Sequence, residues 1–336
     1  MRAETLFHEY REDVLENIHD GMVCVVDEKG IAASVGDTDW ICYYRSCSKL
    51  IQSLPVIERK LDRKYGLTEE ETAIFSGSHK ADADHIRVLE SIMEKTGLKE
   101  EQMIMLPTYP MRPADKEQFM KAGMPPRKIY HNCSGKHLGL MLLARELGEP
   151  VEKYWIRESR TQQEILRVIS QMTDVPAREI KIGVDGCGVP VYAVPFHAIA
   201  TSYLRLVRPE LIKDEVLKEA VTRNMAMLHK YPNMIAGYGD ICTVMTADED
   251  LVAKSGAMGV FTMGIRSMGL GIVFKILDGS QVPFEDAALH ILTELGYDKE
   301  KIAGIAEGCH FSNVIVNDNK EKAGYRKAVF SLKNKT

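Results

Sequence analysis

GMVCVVDEKGIAASVGD, residues 21–37, decides how this chain is built. Valine-rich and isoleucine-bearing segments flank a polar break at Asp27–Gly30, the pattern of two short strands joined by a turn. Strand-like runs return only late, in VPVYAVP (189–195), CTVMTA (242–247), GLGIVFKI (269–276) and NVIV (313–316). Helical patterns fill the interval. One starts near Ser46, with Leu50, Ile51 and Leu54 on one side before Pro55. Thr68 and Glu71 form a capping box. A further helix from about Ala81 carries Ile86, Leu89, Ile92 and Met93 inward and closes at Gly97. Others are expected at 138–147, 160–172, 209–230 and 284–296. Five prolines in 107–127 read as an irregular connection.

The expected fold is therefore α/β (α+β), with a mainly antiparallel sheet built from both chain ends, flanked by helices and carrying a helical insertion. Alternating βαβ units are absent, which disfavours a doubly wound parallel sheet. No repeat or long linker divides the chain. The expectation is one catalytic domain over 1–336, with a sheet region at about 14–45 and 180–336 and a helical region at about 46–175.

Composition narrows the class. The 336 residues are 45% hydrophobic and 27% charged, ordinary for a globular protein, and the net charge of −5 gives no footprint for nucleic acid. The N-terminus lacks an apolar core for a secretory signal, and LGLMLLA is too short to span a bilayer. Seven scattered cysteines without a CxxC read as reduced thiols in a cytoplasmic protein.

Chemistry concentrates in HNCSGKHLGL, residues 131–140. It is no phosphate loop: Tyr130 stands where the first glycine is needed, and His137 follows Lys136 in place of Ser or Thr. DGCGVP around Cys187 fails as a dinucleotide motif because Val191 occupies the third glycine position. A metal site survives. Cys133 and the glycine-flanked Cys187 are potential thiolate ligands, and on residue type alone His131 or His137 would join them. The plainer alternative is that both cysteines are small buried hydrophobes.

Three further motifs occur in order: Ser46-x-x-Lys49 in RSCSK, Ser76-Gly77-Ser78, and Lys254-Ser255-Gly256 in AKSGAMGV. That order is used by serine acyltransferases of the penicillin-recognising type, with Ser78 replacing the usual Asn. A serine hydroxyl needs a base, and lysine serves only when uncharged, a state favoured by burial and by a second nearby cation. Taken singly, Ser46 could be a helix N-cap and Lys49 a solvated helix lysine.

Together, RSCSK, SGSH, HNCSGKHLGL, DGCGVPVYAVP, YPNMIAGYGD and AKSGAMGV resemble the rhizobial-type L-asparaginases, over about residues 14–265. The resemblance implies a fold similar to that of serine β-lactamases and penicillin-binding enzymes. It also implies hydrolysis of L-asparagine to L-aspartate and ammonia. It maps two Ser–Lys pairs onto Ser46–Lys49 and Ser78–Lys254, and zinc ligands onto Cys133, Lys136 and Cys187, in a homodimer. For an amino-acid substrate, Asp185 is the candidate partner of the α-ammonium and Arg45 of the α-carboxylate, with His137 holding one of these groups. Asp185 as a turn cap and Arg45 in a surface ion pair are the plainer alternatives.

The chain departs from the family pattern in two places. Met258 stands where Glu is common, and Ser-His-Lys-Ala-Asp (78–82) replaces Ser-His-Ser-Gly-Glu, with Asp82 keeping the charge. Competing readings are a serine-type glutaminase, a β-lactam-recognising hydrolase, and a metal-binding regulatory protein on a decayed hydrolase fold.

Overall fold

Asp27 pairs with Gly30 across the two-residue connection Glu28–Lys29, and the Lys29 N–H donates to the Asp27 carboxylate at 2.8 Å. Glycine at 30 accommodates φ 125°, a value that side chains resist. This hairpin belongs to a computed structural model that describes residues 2–334. The strands are β1 (Glu4–Arg11), β2 (Val14–Asp27), β3 (Gly30–Val35), β4 (Ile41–Tyr43), β5 (Lys181–Val184), β6 (Pro190–Pro195), β7 (Leu251–Gly256), β8 (Val260–Ile265), β9 (Leu270–Ile276), β10 (Val314–Val316), β11 (Lys322–Ala328) and β12 (Lys333–Asn334).

The chain separates into two compact units. The first holds the residues up to Cys47, 194–208 and those from Gly239 onward; the second holds 48–193 and 209–238. In the first unit the sheet order is β10-β11-β1-β2-β9-β8-β7, with β3 between β2 and β12, and every pairing with a recorded register is antiparallel. Both chain ends thus build one sheet, as the distribution of strand-like runs implies. Phe261 and Phe274 stack at 5.0 Å, and Phe284 of helix Phe284–Glu294 meets both edge-on. Helix Phe196–Val207 lies so close to the sheet that a Cβ at Gly271 would stand 2.1 Å from the Ala200 carbonyl oxygen.

The second unit is helical apart from the antiparallel β5–β6 hairpin. At its centre runs helix Ser134–Glu146, buried continuously from Ser134 to Ala144. An apolar helix covered on all sides is a core element, which explains why LGLMLLA shows no polar face. Around it pack helices Leu54–Glu58, Ala83–Thr96 and Arg160–Thr173.

Three expectations change. CTVMTA is a helix, Ile241–Thr246, started by Asp240, whose carboxylate accepts from the Cys242 N–H. A short apolar run does not distinguish strand from buried helix, and the cap decides here. Within 107–127, Pro113 opens helix Pro113–Lys121, since a proline at the first turn gives up no needed N–H. The polar N-terminus, outside the expected sheet region of about 14–45, forms β1. In β1 Leu6 and Phe7 are fully buried and anchor the strand, while its other side chains lie part-exposed or exposed and rely on the pairing with β2 and β11.

Candidate active site

In the second unit Lys49 opens helix Lys49–Gln52 and is fully buried. Its Nζ donates to Ser78 Oγ at 2.9 Å and to the Asn132 carbonyl at 3.3 Å. Ser78 itself is half-buried. Its N–H donates to the Ile235 carbonyl at 2.8 Å, and a Cβ at Gly77 would stand 2.1 Å from the Met234 oxygen. Glycine is thus required for the chain to approach the 231–238 segment, and this is the part YPNMIAGYG plays: it seats the serine.

His79, next in sequence, is not a base for Ser78. It is buried, Nδ1 accepts from the Ala81 N–H at 3.1 Å, and Nε2 lies 2.7 Å from Ser134 Oγ. The Ser134 hydroxyl donates to the Ile129 carbonyl, leaving its oxygen to accept from His79 Nε2–H. Burial, helped by nearby His85, holds this imidazole well below its usual pKa, so it stays neutral.

Cys133 precedes the central helix, and Lys136 and His137 occupy its first turn. Cys187 sits in the tight turn between β5 and β6, where the Asp185 N–H donates to Val189 and the Gly188 N–H to Asp185. Both cysteines are buried, and Lys136 Nζ donates to Cys187 Sγ at 3.2 Å. A hydrogen bond from Cys133 outweighs burial and, with Lys136, lowers the Cys187 thiol to about 5. Burial works against the Lys136 charge, but Cys187, Cys133 and Asp185 together raise its pKa. Asp185 Oδ2 lies 3.9 Å from Cys187 Sγ, while Oδ1 accepts from the Gly186 N–H and braces the turn. Among the described residues no three His, Cys, Asp or Glu side chains cluster as a metal would need; the assembled donors are two thiols and an amine.

The first unit carries Arg45, Ser46 and Lys254. The turn Arg45–Ser48 is pinned at both ends. Tyr44 donates to Ser202 Oγ at 2.8 Å, Tyr203 donates to the Cys47 carbonyl at 2.8 Å, and Cys47 Sγ donates to the Lys254 carbonyl at 3.1 Å. Ser46 is half-buried, and Arg45 before it adopts φ 50°, a strained value for a side chain with a Cβ. Lys254 is fully buried in β7, its Nζ donating to the Ser255 carbonyl at 2.9 Å. In both units, then, lysine is buried and serine part-exposed.

A sequence profile of the L-asparaginase II family matches residues 7–328, nearly the whole chain. The chain belongs to the L-asparaginase II family. Membership makes it an amidohydrolase acting on a small molecule, and it bears out the resemblance carried by the motifs. No curated protein matches this family member. Solved structures similar to it include a chain described as probable glutaminase ybaS (16% identity, 87% of this chain and 86% of that one, TM-score 0.41). Others are a β-lactamase from Mycobacterium bovis (12%, 81% and 95%, 0.39) and a Bacillus glutaminase (14%, 78% and 84%, 0.34). At these scores the likeness is one of loose arrangement and decides nothing about substrate. No described helix of the amidohydrolase is long and apolar enough to cross a membrane.

The departures from the family pattern have a structural setting. Met258 is exposed in the β7–β8 connection at φ 61°. Asp82 pairs with Arg112 and precedes helix Ala83–Thr96. Two groups around the site carry no sequence signal: Asn132, which acts through its backbone, and Tyr154, whose hydroxyl lies 2.6 Å from His137 Nδ1.

Proposed function

We propose that this amidohydrolase is an L-asparaginase working through a serine acyl-enzyme, with Ser46, Lys49, Ser78 and Lys254 as its catalytic set. The 2.9 Å bond from Lys49 to Ser78 carries the reading, since a buried lysine on a part-exposed serine has no structural need that a neutral residue would not meet. Uncharged Lys49 takes the Ser46 proton, and the serine oxygen attacks the side-chain amide carbon of asparagine. Backbone N–H groups hold the tetrahedral oxyanion. Ser78 and Lys254 pass a proton to the amide nitrogen, which leaves as ammonia as the carbon–nitrogen bond breaks. Water then opens the β-aspartyl ester, giving aspartate and restoring the serine. Asp185 takes the substrate α-ammonium, and Arg45 the α-carboxylate. The same bond favours a second reading, in which Ser78 is the nucleophile and Lys49 its base.

Cys133, Lys136 and Cys187 would hold zinc. The donor set fits: two buried thiols stand with an amine, and Lys136 Nζ donates to Cys187 Sγ at 3.2 Å, so a proton occupies a place a cation can take. Zinc there would help position the substrate, because a Ser–Lys nucleophile is already supplied. A homodimer belongs to the same reading, on family grounds.

Ammonia release from L-asparagine and L-glutamine tests the substrate, with asparagine expected to dominate. Ser46→Ala should lower turnover at least about 1000-fold while the protein stays folded. Mass spectrometry of Ser46→Ala and Ser78→Ala during turnover identifies the nucleophile: an aspartyl adduct persisting in Ser46→Ala assigns it to Ser78.

A further inference from the structure

The hydrogen bonds around His137 leave one polar atom over. The imidazole is fully buried, and its Nε2 has no hydrogen-bond partner. Its Nδ1 lies 2.6 Å from the Tyr154 hydroxyl, with the two rings edge to face at 5.5 Å. That hydroxyl oxygen accepts from the Ile104 N–H at 2.9 Å. Tyr154 is itself fixed, because Gln162 donates to its carbonyl at 2.7 Å and Tyr192 donates to the Gln162 side-chain oxygen at 2.8 Å.

The proton count follows. With one lone pair engaged by Ile104, the phenol hydrogen has a single acceptor in reach, His137 Nδ1. If Nδ1 carried the proton instead, the phenol hydrogen would be buried with no acceptor, which costs more than the alternative. The imidazole proton therefore sits on Nε2. A doubly protonated ring would leave the phenol hydrogen in the same position, buried without an acceptor, and burial keeps the Tyr154 hydroxyl protonated, so the count holds. His137 follows Lys136 in the first turn of the central helix, four residues after Cys133, so the ring stands among the residues of the proposed site. A buried Nε2–H calls for an oxygen acceptor, and a carboxylate oxygen is the strongest of these.

We infer that Tyr154 is a positioning residue that locks His137 in the Nε2–H tautomer, making it a one-way donor to a carboxylate oxygen of the substrate. The inference rests on the amino-acid amidohydrolase reading for the ligand, but not for the tautomer. It adds a specificity rule: His137 accepts nothing, so an amide NH2 or an ammonium placed at Nε2 is rejected.

Nitrogen-15 NMR of ring-labelled histidine in the whole protein reads the tautomer directly, without substrate. The expected result is a protonated Nε2 and a bare Nδ1 for His137, assigned by loss of the signals in His137→Gln. In Tyr154→Phe the protonation should become mixed or move to Nδ1. Kinetically, Tyr154→Phe and His137→Asn should raise KM for L-asparagine roughly 10- to 100-fold with kcat nearly unchanged, the worth of one hydrogen bond to a charged oxygen. His137→Gln, whose amide nitrogen reaches the Nε2 position, should recover most of that loss. A wild-type protein protonated at Nδ1 overturns the inference, as does a Tyr154→Phe variant with unchanged tautomer and KM. An Nε2–H signal in a protein that releases no ammonia from asparagine sinks the asparaginase reading and leaves the tautomer standing.

Discussion

Ala81 adopts φ 63°, a left-handed conformation in which its Cβ crowds the following carbonyl. It is buried, and its N–H donates to His79, so the strain sits three residues from Ser78. The family commonly has glycine here, and this structure shows what the glycine relieves. Ala81→Gly should stabilise the fold by up to about 1 kcal/mol, the relief of strain exceeding the extra freedom of the unfolded chain, as read by urea unfolding. At this scale Ser78 and Lys49, which the fold joins, stand in short motifs of their own, whereas Lys136 beside Cys187 was reached only through the family resemblance, since residue type alone points to His131 or His137. Tyr154 was not legible. It lies 17 residues from His137 in an unremarkable segment, and only folding brings the hydroxyl to the ring. The carbonyl of Asn132 is invisible for another reason, since backbone groups leave no mark on residue identity.

Helix Glu69–Ala73 shows an element fixed by one cap. Thr68 Oγ1 accepts from the Glu71 N–H at 3.2 Å, and the Glu71 carboxylate accepts from the Thr68 N–H, from Ser91 and from Lys95. Burial raises the Glu71 pKa, but the bonds to Lys95, Ser91 and Thr68 together leave it below the ordinary 4.5. A carboxylate depressed in the folded state adds stability above the unfolded value and loses it as pH falls through the folded one. Glu71→Gln should therefore cost about 1–2 kcal/mol at pH 7 and progressively less below pH 4.5, measured by denaturant titration across that range. This cap was readable because Thr68 and Glu71 are local. The CTVMTA helix was not, since its cap residue competes with strand-forming neighbours and tertiary packing decides between them. Helix Phe196–Val207 makes a different demand on its partner. Gly271→Ala would drive a methyl into the Ala200 carbonyl, at a cost of about 3 kcal/mol. It would also shift Tyr203, which holds the Cys47 carbonyl beside Ser46, so urea stability and ammonia release should fall together.

For the molecule as a whole, the sheet assembled from both chain ends was legible in where the strand-like runs cluster. The register that joins β2 to β9 was not, because nothing in either segment names the other. Zinc is a whole-molecule question, since its proposed ligands come from segments 51 residues apart, Lys136 and Cys187. Elemental analysis should find zinc in the wild-type protein and none in Cys187→Ser, and chelation should raise KM for asparagine more than it lowers kcat. The pairing of β1 with β11 has a consequence for synthesis. During translation, residues 4–35 emerge early but must wait for residues 270–328 before their outer partners exist. Until then β1 and β2 present open edges, each able to recruit a strand from another nascent chain. A ribosome that stalls late on this message would release a hairpin with nothing to close it, and holding chaperones would be the difference between a finished sheet and an aggregate.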